Sequence, residues 1–398
     1  MGMEARELEA KADFPSLAAK KRTAGAILRA LEERDGFLLV GHKGPDEDCV
    51  ASMVALGLLA AKMSKAVYLH LGSPVHEQFG YLLEICRYNS IEVFGELDAP
   101  SGPVGAVVVL DTPKPDMLEL GPQVRRLIEE EPPLIMEIDH HLGADASYIG
   151  DPGYRLVAQA SSASELVGYL ALKLEEDEGF KARWQLGEVM SRNLVLAVLT
   201  GIIGDSRMGK YLKTRRERWF YERFSSLFDQ LLAQKTRTGT GNFASKEEVF
   251  AAIASLSGAE RDCYEGMMGR RRDSGSLGYV LLPAGEAARM LAAHGEETFT
   301  AVAKSVADAL AEEGGRLGLV AYPDPPGASD FVQFRLRRNH AFRGIDLREL
   351  LARLEIANGG GHPGAVGFRF PKSEVADFEA FALELVARIE GLAREAAG

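Results

Sequence analysis

Apolar runs that stop on aspartate or histidine constrain this chain more than any other feature. Four acidic clusters, GHKGPDEDCVAS at 41–52, VVVLDTP at 107–113, EIDHHL at 137–142 and TGIIGDS at 200–206, each follow a run that reads as a buried strand. FLLVGH (37–42), AVYLHL (66–71), AVVVLD (106–111) and LIMEID (134–139) carry the Val, Leu and Ile of such strands, and amphipathic helical patterns at 51–63 and 76–87 separate them. Strands alternating with helices predict an α/β unit built on a mostly parallel sheet covered by helices. Ligands of such sheets gather outside the carboxyl ends of the strands, where the clusters fall. Four acids placed there predict one shared metal site, and hence a hydrolase.

Beyond Asp205 the texture changes. Residues 214–234 set Trp219, Phe220, Phe224, Leu227, Phe228 and Leu231 at helical spacing, and KTRTGTGN (235–242) reads as a breaker-rich loop before a further helix. From about Ser276 the pattern turns α+β: LGYVLL, a long helix through 299–313, RLGLVAYP and DFVQFRLRR as paired strands, helix IDLRELLARL, then NGGGHPGAVGFRF and a last helix. We therefore expect a catalytic domain over 1–240, a linker helix over 241–270 and a smaller α+β domain over 271–398, the two domains facing each other across a cleft.

The first cluster supplies His42, Asp46 and Asp48 from one short turn, with Pro45 stiffening the approach. Read as extended chain, Asp46 and Asp48 point to opposite sides, so one loop can address two ions. Asp111 ends its own strand, Asp139, His140 and His141 offer a carboxylate and two imidazoles, and Asp205 adds another carboxylate. Mixed carboxylate and imidazole ligands without a thiolate suit Mn²⁺ or a similar divalent ion. Two such ions about 3.5–4 Å apart can hold a hydroxide and clamp a phosphoryl oxygen. A lone strand-end Asp is more often a cap or turn residue; four clusters in order outweigh that reading.

HxxPDxD, a lone Asp after an apolar strand, DHH and a fourth Asp together resemble the DHH phosphoesterase superfamily, and NGGGHPGAVGF resembles the glycine-rich signature of the DHH-associated domain. The resemblance implies two divalent metal ions: one held by His42, Asp46 and Asp111, the second by Asp48, Asp111, His140 and Asp205, with Asp111 bridging. It makes His141 the group that touches the scissile phosphate or protonates the leaving group, oriented by Asp139. In the C-terminal domain it assigns substrate phosphate to Arg337, Arg338, Gly360, Gly361 and His362. Three positions depart from the family pattern: Glu47 where Gly is usual, Ser206 in GDS where Thr is commoner, and Arg335 in place of a small residue before Arg337. The last, with Arg338, makes the pocket unusually basic.

The expected activity is hydrolysis of phosphate esters of short oligoribonucleotides or small nucleotides such as 3′-phosphoadenosine 5′-phosphate. Cyclic or linear dinucleotides are the runner-up substrates, pyrophosphate a weaker one, and a non-catalytic nucleotide-binding protein that keeps the fold the rival of another class. The formal charge of −12 disfavours sequence-independent grip on long nucleic acid, and no long duplex DNA is expected as a partner. GDSRMGKY (204–211) misses the phosphate-binding P-loop because Tyr211 replaces the hydroxyl residue. His70, His76, His294 and His340 read as packing or surface residues, and Arg270, Arg271 and Arg272 as a solvated loop. No apolar run approaches the roughly 18 residues of a membrane span. The N-terminus has no apolar signal core, Arg6 spoils an acylation site, and Cys49, Cys86 and Cys263 are scattered, so a cytoplasmic protein is expected, with a homodimer left open.

Overall fold

A computed structural model describes residues 9–72, 75, 77–130, 133–232, 243–314, 316–325, 327, 329–342 and 344–396. His76 and the 235–242 loop lie outside the described residues. The chain forms two compact units, Met1–Ser255 and Leu256–Gly398. Residues 241–270, read from sequence as a linker helix, divide between them. Helix Lys246–Ile253 gives Val249 and Ile253 to the first unit's core, and helix Gly258–Met268 gives Cys263 and Met267 to the second's. Among the described residues no helix is long and apolar enough to cross a membrane.

The first unit holds a fully parallel six-stranded sheet, ordered Glu92–Phe94, Val67–His70, Phe37–Val40, Ala106–Leu110, Leu134–Asp139, Arg155–Val157. Alternation along each strand feeds two cores. Phe37, Leu39, Val108, Met136 and Ile138 pack with the helices Leu17–Glu33, Glu47–Lys62, Ala163–Glu175 and Arg192–Asp205. Leu38, Val40, Val107, Val109 and Ile135 turn the other way, onto Val124 and Ile128 of helix Pro122–Glu130. Outside this sheet, Ala10–Lys11 pairs antiparallel with Gly143–Ser147, a ribbon the sequence pattern does not reveal.

Two expectations about the acidic clusters are corrected. TGIIGD does not end a strand; it is the last part of the helix Arg192–Asp205, whose residues from Leu194 to Gly204 are all buried. Nor do Asp46 and Asp48 share one extended stretch: Asp46, with extended backbone, is the N-cap of the helix Glu47–Lys62, and Asp48 lies in its first turn. A helix covered on every side shows no amphipathic stripe, so a buried helix and a buried strand look alike in sequence.

The second unit is α+β. Its six-stranded mixed sheet runs Gly359–His362, Ala365–Pro371, Phe331–Arg338, Leu317–Pro323, Leu277–Leu281, Arg272–Ser274, with Leu277–Leu281 and Leu317–Pro323 the one parallel pair. One face packs on helices Leu347–Arg353 and Phe378–Glu395, and the other on Gly258–Met268 and Glu296–Gly314. The three arginines of the expected loop are ion-paired instead: Arg270 with Glu286, Arg271 with Asp273 and Glu313, and Arg272, which opens a strand, with Glu379.

Candidate metal centre

The strands Phe37–Val40, Ala106–Leu110 and Leu134–Asp139 are adjacent and parallel, so the turns leaving their carboxyl ends lie side by side. From the first turn His42 donates its Nδ1 hydrogen to the Lys43 carbonyl at 2.9 Å. That bond fixes the tautomer and leaves Nε2 facing Asp46 Oδ1 at 3.6 Å and Asp111 Oδ2 at 3.8 Å. Asp46, half-exposed, also accepts the Cys49 N–H at 3.1 Å as a helix cap.

Asp111 sits at the centre. Its φ of +49° is left-handed backbone, which costs about 1–3 kcal/mol outside glycine; its N–H is pinned to the Ile138 carbonyl at 3.1 Å. Oδ1 is buried with no hydrogen-bond partner among the described residues, with His140 Nε2 3.3 Å and His141 Nδ1 3.6 Å away. On its far side His140 Nε2 lies 3.3 Å from Asp205 Oδ2 and 4.0 Å from Asp48 Oδ2.

Asp48 is fully buried and takes the N–H groups of Ala163 at 2.6 Å and Ser164 at 3.0 Å, the first two residues of helix Ala163–Glu175. Asp205 arrives because the helix that ends on it can come close. A Cβ added to Gly201 would stand 2.3 Å from Asp48 Oδ1 and 2.1 Å from Ser164 Oγ, and one on Gly204 would stand 2.2 Å from Glu47 Cγ. Glu47 thus packs against this helix, and burial followed by the charge of Asp46 raises its pKa.

The electrostatics of the cluster ask for a cation. Burial, then the charge of Asp111, pushes Asp48 up to about 8 against the pull of His140. Burial and the charge of Asp48 raise Asp205 well above the carboxylate range. Burial works to lower both imidazoles, but Asp46 and Asp111 outweigh it and lift His42 to about 10. Contact with Asp111 and the charges of Asp205 and Asp48 likewise lift His140 well above its usual value. So the cluster keeps its charge down by holding protons. Donor atoms of Asp48, His140 and Asp205 lie within 4.8 Å of one another, as do those of His42, Cys49 and Asp111. Carboxylates and imidazoles converging on an orphaned buried oxygen fit divalent cations, which would take the place of those protons.

A measurable consequence follows from the signs. Groups whose folded pKa is raised stabilise the fold at low pH and lose that contribution as pH climbs through the folded value. Asp48 gives up its share between its ordinary 3.8 and about 8, and His42 between 6.5 and about 10. With chelator present, melting followed by circular dichroism is expected to occur at lower temperature at pH 8.5 than at pH 6. Saturating Mn²⁺ is expected to reverse the order, because bound ions replace the protons. An unchanged order with Mn²⁺ would remove the cation from this site.

The structure adds two residues that the sequence pattern does not single out. Cys49 stands in the His42 and Asp111 group as a buried thiol, its pKa raised by burial first and then by Asp111 and Asp46, so it stays protonated. Lys11 reaches the DHH turn from the N-terminal ribbon; within the charged N-terminal segment nothing marks it as buried. Asp139 Oδ1 receives the backbone N–H groups of His140 at 2.8 Å and His141 at 3.2 Å and pairs with His141 Nδ1 at 2.8 Å. Of the other histidines, His70 is buried and accepts the Gly121 N–H, and His340 pairs with Glu312.

The remaining expected residues gather in the second unit. Arg337 and the backbone of His362 are both in register with Ala365 across neighbouring strands, beside Gly360 and Gly361; the His362 side chain lies outside the described residues. Arg337 Nε lies 3.3 Å from Asp308 Oδ1, and Arg338 donates to the Ile345 carbonyl at 2.8 Å. Arg335, with Gln333, Asn358 and Arg369, lines a cavity of about 380 Å³.

Comparison with known proteins agrees with this geometry. Residues 37–202 match the model of the DHH family, N-terminal domain. No curated protein matches the chain by sequence. Among solved structures it is similar to an exopolyphosphatase-related protein from Bacteroides fragilis at 16% identity and TM-score 0.62, over 95% of this chain and 98% of that one. At 15% identity and TM-score 0.44 it is similar to RecJ in complex with Mn²⁺ from Thermus thermophilus, over 96% of this chain and 56% of that one. At 12% identity and TM-score 0.36 it is similar to the pGpG-specific phosphodiesterase PggH from Vibrio cholerae, over 90% of this chain and 99% of that one. Likeness at these identities concerns the fold; the family assignment rests on the matched residues, which contain His42, Asp46, Asp48, Asp111 and the DHH turn. Residues 37–202 of the chain carry the DHH family's N-terminal domain.

Proposed function

We propose that this protein is a metal-dependent phosphoesterase acting on short oligoribonucleotides or on small nucleotides such as 3′-phosphoadenosine 5′-phosphate. The observation that carries the reading is the orphaned Oδ1 of Asp111, buried between His140 and His141 with His42 on its other oxygen. His42, Asp46 and Asp111 would hold one divalent ion, and Asp48, Asp111, His140 and Asp205 a second. Mn²⁺ suits this donor set, and two such ions would supply a nucleophile from bound water and charge stabilisation for phosphoryl oxygens. His141, tied through Nδ1 to Asp139, would meet the scissile phosphate or give its proton to the leaving oxygen.

The second unit supplies grip in this reading. Arg337, oriented through Nε by Asp308, would hold a non-scissile phosphate with Arg338, Gly360, Gly361 and His362. A guanidinium makes charge-assisted, fork-like bonds to phosphate, and glycine backbone lets N–H groups come near it. The cavity at Arg335 and Arg369 supports a substrate larger than pyrophosphate.

One assay tests the reading: Mn²⁺-dependent turnover of dinucleotides, five-mers, cyclic dinucleotides, 3′-phosphoadenosine 5′-phosphate, pyrophosphate and bis-p-nitrophenyl phosphate. Short oligoribonucleotides or the bisphosphate are expected to lead. Failure on all would leave a nucleotide-binding protein with an idle centre. In the same assay Arg337→Ala is expected to raise KM about ten- to a hundredfold for two-phosphate substrates, the value of charge-assisted bonds at about 1.5–3 kcal/mol. Bis-p-nitrophenyl phosphate, which has no second phosphate, is expected to be cleaved as by wild type. Equal losses on both would move Arg337 from grip to fold.

A further inference from the structure

Lys11 lies outside residues 37–202, the part of the chain that matches the family model. Its strand pairs with Gly143–Ser147, the strand that leaves the Asp139-His140-His141 turn, with Lys11 opposite Gly143 and Ala10 opposite Ser147. The side chain is completely covered. Nζ meets the Thr112 carbonyl at 2.6 Å, Asp139 Oδ2 at 2.5 Å and Glu137 Oε1 at 2.8 Å. Of the three hydrogens of the ammonium, two go to the Thr112 carbonyl and Asp139 Oδ2, and Glu137 Oε1 faces it as an ion pair.

The partners define what this contact does. Thr112 follows Asp111, and Asp139 precedes His140, so one ammonium ties together the turns that carry these two donors. Asp139 has both oxygens engaged by protein donors: Oδ2 by Lys11, Oδ1 by two backbone N–H groups and His141 Nδ1. Glu137 is held from behind, with Oε2 accepting the N–H groups of Ile149 and Gly150. Burial works against a charged Lys11, but the charges and hydrogen bonds of Asp139 and Glu137 outweigh it, raising its pKa. A buried cation is costly unless it is paired, and Lys11 is paired with two carboxylates.

We propose that Lys11 is a positioning residue of this centre: through Asp139 it sets the ring of His141, and through Thr112 it sets the turn of Asp111. The N-terminal ribbon is thereby a working part of the site. The bland alternative is that Lys11 only offsets the buried charges of Glu137 and Asp139. The kinetic arm of the test rests on the phosphoesterase reading above; the spectroscopic arm does not.

Lys11→Met alone leaves two buried carboxylates without their cation and is expected to melt early, so the deciding variant is Lys11→Met with Glu137→Gln. That pair removes one charge of each sign and leaves the same net charge beneath the turn. We expect it to recover most of the melting temperature lost by the single variant, yet to show kcat on bis-p-nitrophenyl phosphate with Mn²⁺ lowered tenfold or more at nearly unchanged KM. In the metal-free protein, the Nδ1 signal of His141, identified by its loss in His141→Gln, is expected to lose the signature of its bond to Asp139 in nitrogen NMR spectra. A double variant with wild-type kcat and an unaltered His141 signal would overturn the proposal and leave Lys11 as a charge balancer. If wild type fails to cleave any phosphoester, the phosphoesterase reading falls, and the NMR comparison still decides the role of Lys11.

Discussion

Asp111→Asn is expected to lower Mn²⁺-dependent turnover by more than about a thousandfold while leaving the fold intact. The size follows from the several kcal/mol of charge stabilisation a two-ion site supplies, at about 1.36 kcal/mol per tenfold in rate. Asparagine keeps the shape and tolerates the left-handed backbone that φ of +49° demands, so loss of activity would not be a folding effect. Removing the central charge also takes away one of the charges that raise Asp48, beside burial, and His140, and a lesser contributor, after Asp46, to the rise of His42. Metal-free Asp111→Asn should therefore melt no lower than metal-free wild type at pH 8.5, and should gain little on addition of Mn²⁺. Turnover near wild type at saturating Mn²⁺ would sink the bridging role.

The second large effect separates chemistry from ligation. His141→Ala is expected to lower kcat by about 10²–10⁴, the range for a positioned proton donor, with KM and bound manganese little changed. Its neighbour behaves differently. His140 Nε2 stands between Asp111 and Asp205 at 3.3 Å from each, so His140→Ala should lose metal along with activity. His141 Nδ1 is committed to Asp139 at 2.8 Å, so Nε2 is the nitrogen left to act, and the metal content of the variant decides whether it acts on substrate or on an ion. Elemental analysis showing one ion lost from His141→Ala would place it among the ligands.

Much of this centre is legible in the amino-acid sequence. The strands at 37–40, 106–110 and 134–139 announce themselves because each apolar run is short and ends on a polar turn, and the first three clusters do lie at those ends. The fourth is legible as chemistry and not as structure. Asp205 reaches His140, but from the end of a helix whose interior is apolar on all sides; short buried runs carry no period to tell helix from strand. Asp46 and Asp48 mislead for a related reason, since PDED reads equally well as a turn or as a cap and first helical turn. Lys11 is not legible at all. Charged residues near a terminus are ordinarily solvated, and only pairing between chain positions 10–11 and 143–147 reveals this one as buried.

Gly201 and Gly204 carry a consequence for how the protein can change. Glycine inside a helix costs about 1 kcal/mol relative to alanine, and replacing it is a common route to a more stable protein. Here that route is shut, because the missing methyl groups are the space in which Asp48, Ser164 and Glu47 stand. Selection for heat tolerance would have to act elsewhere, on helices that do not touch the acids. The helix Arg192–Asp205 is thus kept weaker than its composition allows by the same atoms that bring Asp205 to the centre, and stability and activity are set against each other at two named positions.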